Sequence, residues 1–201
     1  MQYRRRPRGF TLVEILVVLA IVIAVISTIA TIAVSARSQS DTNGMIQMLM
    51  AVEGQIRTQY SSRHDYTGLT TSEAVSAGAI PRGMSSGTSP NFLVTHPLGG
   101  AFGVGPSAFV NGSVAPSQNS GFYLKATGIP REACIGLLVQ TAPNYQGIVV
   151  NTSVVNAVAD NNQASNFTPR HVTAKGTQIT AAQAATWCTH ASANSIRWET
   201  S

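Results

Sequence analysis

Between Arg8 and Arg37 the chain carries no basic residue, and from Ile15 to Ala36 it runs 22 residues without a charge. As a helix rising about 1.5 Å per residue, such a run spans roughly 33 Å, enough to cross a bilayer core. Arg4, Arg5, Arg6 and Arg8 stand immediately before it. Basic residues on that flank predict an N-terminus in the cytoplasm and the remainder of the chain outside. A secretory signal peptide has a similar layout. Its apolar region is usually about 7–15 residues and ends in a small-residue cleavage site. Here the run is longer, and Ala33-Val34-Ser35 is a poor cleavage site. The formal net charge of +5 belongs to the same tip, because beyond Phe10 the basic residues exceed the acidic by one. A sequence pI near 9.7 therefore points to no nucleic-acid surface on the body. Arg82, Lys125, Arg131, Arg170, Lys175 and Arg197 are expected to be a solvated scatter rather than a DNA- or lipid-binding face.

Glu14 interrupts the apolar pattern at its start. An ionised carboxylate in hydrocarbon is costly unless paired. Read on its own it is an acid at the bilayer edge. Read with its neighbours it belongs to Arg8-Gly9-Phe10-Thr11-Leu12-Val13-Glu14, followed by the apolar run. This segment resembles the processing and assembly signature of type IV prepilins. The resemblance implies that residues 1–9 are a leader cut by prepilin peptidase between Gly9 and Phe10. It implies that Phe10 is N-methylated by the same enzyme, and that Glu14 pairs with the N-terminal amine of a neighbouring subunit during assembly. An amine and a carboxylate buried together relieve a cost that each would bear alone.

Residues 10 to about 62 contain no proline. Met45, Met48, Leu49, Val52 and Ile56 recur at spacings of three and four, one apolar face at helical period. One long helix of about 52 residues is expected, roughly 78 Å. Its part over 10–36 would be the transmembrane and polymerising half, and 37–62 the amphipathic half packed on a head. The methionine stripe is expected to be core packing. Many type IVa pilins carry a proline within the apolar helix and this chain has none, although its short leader and Phe10 resemble theirs. Gly44 and Gly54 are the weak points, each costing about 1 kcal/mol relative to Ala.

From Ser61 the composition turns to Gly, Ser, Thr, Asn and Ala with short apolar runs. Thr70 with Glu73, and Thr180 with Gln183, have capping-box spacing, predicting a helix ending near Gly78 and another reaching Trp187 and Cys188. A third helix is expected from Pro130, as first helical residue, to about Thr141, stopped by Pro143. Phe92–Thr95, Phe122–Ala126, Gly147–Asn151, Val172–Ala174 and Asn194–Glu199 are strand candidates. Residues 83–120 read as turns, including the glycine-rich stretch Gly99–Gly105, which lacks the Lys-Ser/Thr ending of a phosphate loop. The expected class is α+β: a long N-terminal helix packed on a mostly antiparallel sheet, with a head over 63–201. The order TGLTTSEAVSAGAIP, GIPREAC, a late WC and a terminal NSIRW resembles the heads of type IVb pilins of thin conjugative and enteropathogen pili.

Cys134 and Cys188 are the only cysteines. Export favours a disulfide between them, worth about 4 kcal/mol in the chain-entropy model, with two buried free thiols as the alternative. In pilins a C-terminal disulfide bounds the surface segment called the D-region, here 134–188. No metal is expected, since two cysteines lack zinc-ligand spacing and the acids are scattered. His64, His96, His171 and His190 form no ligand pair and are expected in loops or at the surface. GxSxG, HExxH and CxxC motifs are absent from the sequence, so neither enzymatic activity nor a cofactor is expected. Asn111, Asn151 and Asn166 each begin an N-x-Ser/Thr triplet, leaving glycan attachment open.

The resemblance implies a structural subunit, the major pilin, of a type IV pilus. The precursor would sit in the bacterial inner membrane as a single pass and end in an extracellular fibre for adhesion, aggregation, motility or mating contact. Its partners would be other copies of itself, prepilin peptidase, the inner-membrane assembly platform, and a host-cell, bacterial or phage surface. Two other readings stand beside it: a pseudopilin of a type II secretion system, and a signal-anchored periplasmic enzyme or binding protein.

Overall fold

The computed structural model describes residues 11–63, 65–107, 109–110, 113–114, 119–151, 172–174 and 176–200. The chain divides into two compact units, Met1–Gln39 and Ser40–Ser201. Helix α1, Leu12–Tyr60, is continuous through Gly44 and Gly54. Leu12 through Ile26 are exposed. Among the described residues no helix is long and apolar enough to cross a membrane. The span expected over 10–36 extends past the described side chains, which within it run from Thr11 to Ile26.

In the second unit the periodicity of α1 acts as expected. Met45, Leu49, Val52 and Ile56 are fully buried, with Met48 and Tyr60 nearly so. Burying each of the larger apolar chains contributes roughly 1.5–3 kcal/mol relative to exposure. Tyr60 continues into an aromatic chain, with ring centroids 5.4 Å from Tyr66 and then 4.7 Å from Tyr66 to Phe122. Helix α2, Thr71–Ser76, begins where Thr70 Oγ1 accepts from Glu73 N. Helix α3, Arg131–Thr141, uses Pro130 as its cap rather than as its first helical residue. Pro130 has extended ψ, so its fixed φ serves the entry to the helix, not its first turn. Helix α4, Ala181–Trp187, opens on a complete capping box between Thr180 and Gln183.

The strands are β1 Ser85–Ser86, β2 Leu93–Thr95, β3 Ala101–Ser107, β4 Phe109–Val110, β5 Ser113–Val114, β6 Gly121–Ile129, β7 Gly147–Asn151, β8 Val172–Ala174 and β9 Asn194–Thr200. Seven form one sheet in the order β1-β2-β3-β6-β9-β7-β8, every pair antiparallel, while β4 and β5 pair separately. Register sorts residues into faces. One row aligns Val104, Leu124, Trp198 and Ile148, and the next Phe102, Ala126, Ile196 and Val150. These join the buried stripe of α1 and the inner faces of α2, α3 and α4 in a single core.

Strand β3 replaces the turns expected over Gly99–Gly105. Its glycines hide a two-residue period in which Phe102 and Val104 are buried. They are there for space. A Cβ on Gly105 would lie 2.6 Å from Tyr123 Oη, and one on Gly103 would lie 3.2 Å from Thr71 Oγ1.

Candidate functional site

Two regions carry the residues singled out from sequence, one in each unit. Gly9 and Phe10 lie outside the described residues. Glu14 stands in the first turn of α1, where its backbone N–H donates to Thr11 Oγ1 at 3.3 Å and to Thr11 O at 3.0 Å. A carboxylate suits a helix N-terminus, where unpaired N–H groups create positive potential. Beside it Ile15, Val18, Leu19 and Val22 line a shallow face that is almost entirely apolar. An exposed run of this size cannot remain in water and calls for lipid or another apolar surface. A single acid at its tip gives that surface one polar address.

In the second unit Cys134 on α3 and Cys188, the C-terminal cap of α4, form a disulfide with Cα atoms 6.0 Å apart. Both cysteines are wholly buried. Polar contacts fasten the same corner. Arg131 Nε donates to Cys188 O at 3.0 Å, and Arg131 N donates to Ala191 O at 3.0 Å. Asn194, also fully buried, donates from Nδ2 to Ile129 O at 3.0 Å and His190 O at 2.7 Å, and accepts on Oδ1 from His190 N at 3.1 Å. One side chain thus satisfies three backbone groups that a loop would otherwise leave unpaired. Trp198 Nε1 donates to Thr141 Oγ1 at 2.8 Å, tying the end of α3 to the sheet.

The far face of the sheet departs from expectation. Arg197 is buried rather than solvated, and its Nη2 lies 2.6 Å from Glu199 Oε1. Its guanidinium sits 4.4 Å from the centre of the Tyr123 ring, and Nη2 donates to Ser107 Oγ at 3.2 Å. Burial raises the Glu199 carboxyl above the ordinary carboxylate range, while the charge and hydrogen bond of Arg197 and the Ser107 hydroxyl pull it back. Sequence reasoning missed this pair and Asn194. The available signal was the alternation in β9, where Arg197 and Glu199 share a face opposite Ile196 and Trp198. A smaller polar group sits at the α1–β9 contact. Arg57 Nη2 pairs with Glu53 Oε1 at 3.0 Å and donates to Thr200 Oγ1. Burial, then the charge of Glu53, pushes the Tyr145 phenol upward.

His96 lies in a loop, as expected, yet it is not at the surface: it is 3% exposed, with Nε2 at 2.8 Å from Thr127 O and Nδ1 accepting from Leu98 N at 3.2 Å. His190 Nδ1 accepts from Ser192 N at 3.3 Å. His64 and His171 lie outside the described residues. Of the three N-x-Ser/Thr asparagines, Asn151 is buried on β7, and the other two lie outside the described residues. Among the described residues no three His, Cys, Asp or Glu side chains converge on a metal position.

A helix with a single acid at an exposed apolar tip, joined in sequence to an α+β head closed by a C-terminal disulfide, defines a type IV pilin. Residues 4–34 match the prokaryotic N-terminal methylation motif, and residues 36–201 match the family described as PilS N terminal. The chain belongs to this PilS family of pilins. It is similar to the major structural subunit of bundle-forming pilus from Escherichia coli O111:H- and from Escherichia coli O127:H6. Each is 28% identical over 186 residues, spanning 92% of this chain and 89% of the relative. In fold it resembles a type IVb pilin from Salmonella typhi, with a TM-score of 0.51 at 18% identity over 80% of this chain and 97% of that one. It also resembles TcpA, a type IV pilin from Vibrio cholerae El Tor biotype, with a TM-score of 0.52 at 16% identity over 81% and 99%. The chain is a structural pilus subunit that assembles with copies of itself. The methylation motif implies a membrane-anchored precursor processed by prepilin peptidase.

Proposed function

We propose that this chain is the major subunit of a type IVb pilus. The precursor spans the bacterial inner membrane once, with Met1 in the cytoplasm. Prepilin peptidase cuts between Gly9 and Phe10, removing residues 1–9, and methylates the new amine. The assembly platform then lifts the subunit from lipid into the fibre, where Glu14 pairs with the Phe10 amine of a neighbour. The head, 63–201, with its 134–188 segment facing outward, meets a host-cell, bacterial or phage surface.

The observation that carries this reading is the position of Glu14, an acid in the first turn of an otherwise apolar exposed helix face. Transfer from lipid into a bundle of identical helices keeps the apolar surface dry and gives the carboxylate a cationic partner. The similarity of the chain across its length to major bundle-forming pilus subunits supports the major rather than an accessory role.

The test compares the wild-type chain with Glu14→Ala in cells holding the assembly machinery. Mass spectrometry of both proteins is expected to find an N-terminal methyl-Phe10. Electron microscopy of sheared material is expected to find fibres from the wild type only. Abundant normal fibres from the variant, or a wild-type fibre subunit still carrying Met1, would overturn the reading.

A further inference from the structure

The turn between β2 and β3, His96–Gly100, touches two other parts of the head. His96 N donates to Gly100 O at 3.0 Å and Gly99 N donates to His96 O at 2.8 Å, closing the turn. Toward β6, the His96 ring reaches Thr127 O, and a Cβ on Gly128 would lie 3.3 Å from Gly100 Cα. Toward α1, a Cβ on Gly44 would lie 3.8 Å from the Pro97 ring.

The ring's hydrogen bonds define its protonation. Leu98 N–H points at Nδ1, so Nδ1 must offer a lone pair, and the ring's one proton sits on Nε2 against the Thr127 carbonyl. A second proton on Nδ1 would set two donors against each other at a part-buried contact of a ring that is itself buried. Both groups would then be unpaired, a costly outcome for buried polar atoms.

We propose that the His96–Gly100 turn is an acid-released fastening, holding β2–β3 to β6 and α1 only while the imidazole is uncharged. Burial supports this by lowering the ring's proton affinity below the ordinary value of 6.5, opposed by the Thr127 carbonyl. No charged side chain contributes to that shift. The ionisable groups nearest in sequence to the contacts are Asp41 on α1 and Lys125 on β6, and neither β2 nor β3 carries one. A depressed folded value means that the unfolded chain takes up the proton first. The stabilisation is complete above about pH 6.5 and is lost as pH falls toward the folded value. Glu199, raised by burial, works in the opposite direction and forms a background common to wild type and variant.

His96→Gln supplies the test, since a glutamine amide can donate to Thr127 O and accept from Leu98 N without titrating. Thermal unfolding of the full mature chain in detergent, with its disulfide intact, is followed at about pH 7.5 and about pH 5. The wild-type Tm is expected to fall several degrees further than that of the variant. Equal falls would overturn the proposal. A titration of the wild type by NMR gives an answer even if the variant does not fold. The His96 ring is expected to titrate below the ordinary imidazole value, with the Leu98 amide resonance shifting in step. A midpoint at or above that value, or a Leu98 amide that does not move through it, would equally overturn it.

Discussion

Gly100 lies outside the left-handed region of backbone space, yet it admits no side chain. A Cβ there would lie 1.7 Å from Thr127 O and 2.6 Å from His96 Nε2. The first atom is backbone and cannot rotate away, so Gly100→Ala has to push β3 off β6. We expect a loss of about 3 kcal/mol or more, read as a lower urea midpoint with an unchanged slope. Arg197 shows a different dependence. It is the cation facing a buried carboxylate, and its removal strands Glu199. Arg197→Leu is expected to cost about 3–5 kcal/mol, whereas Arg197→Leu combined with Glu199→Leu should cost much less than the two single changes together. A double-mutant cycle by chemical denaturation measures the difference. In the single variant the Glu199 carboxyl loses the group that draws it downward, so it should titrate at still higher pH. Its raised value makes the head more stable in acid and less stable as pH climbs through it, and that slope should steepen without Arg197. None of this was legible from composition. Arg197 looks like any surface arginine until Ser107 and Tyr123, ninety and seventy-four positions earlier, are placed beside it.

Elements announce themselves when their signal is local. The stripe from Met45 to Ile56 is one face of α1, both threonine caps open helices at the expected residue, and β7 begins and ends as its apolar run does. Strand β3 did not, because four of its seven residues are glycine, proline or serine and only the neighbours that press on its glycines explain those. The pairing of α3 with α4 is long-range too, but there two cysteines announced it: the link between Cys134 and Cys188 joins positions 54 apart. Cys134→Ser is expected to cost roughly 4 kcal/mol, mostly by freeing the unfolded chain. It should appear as a lower Tm and as faster proteolysis between α3 and α4, and as fewer fibres in cells. An unchanged Tm in the variant would contradict that cost.

At the scale of the whole chain, the family was legible in seven residues, Arg8 to Glu14, because that segment must be read by an enzyme and a neighbouring subunit as well as fold. The head was legible as a class but not as a topology. A strand order that places β9 between β6 and β7 depends on pairings between segments far apart in the sequence. In the same head Cys134 and Cys188 retain no contact with solvent. A thiol oxidant needs to touch sulfur, so it has to act while the two helices are still apart. Afterwards a reductant meets the same wall. The cross-link is therefore a seal that can be set only once, early, and each finished subunit preserves in it the redox conditions under which it was born.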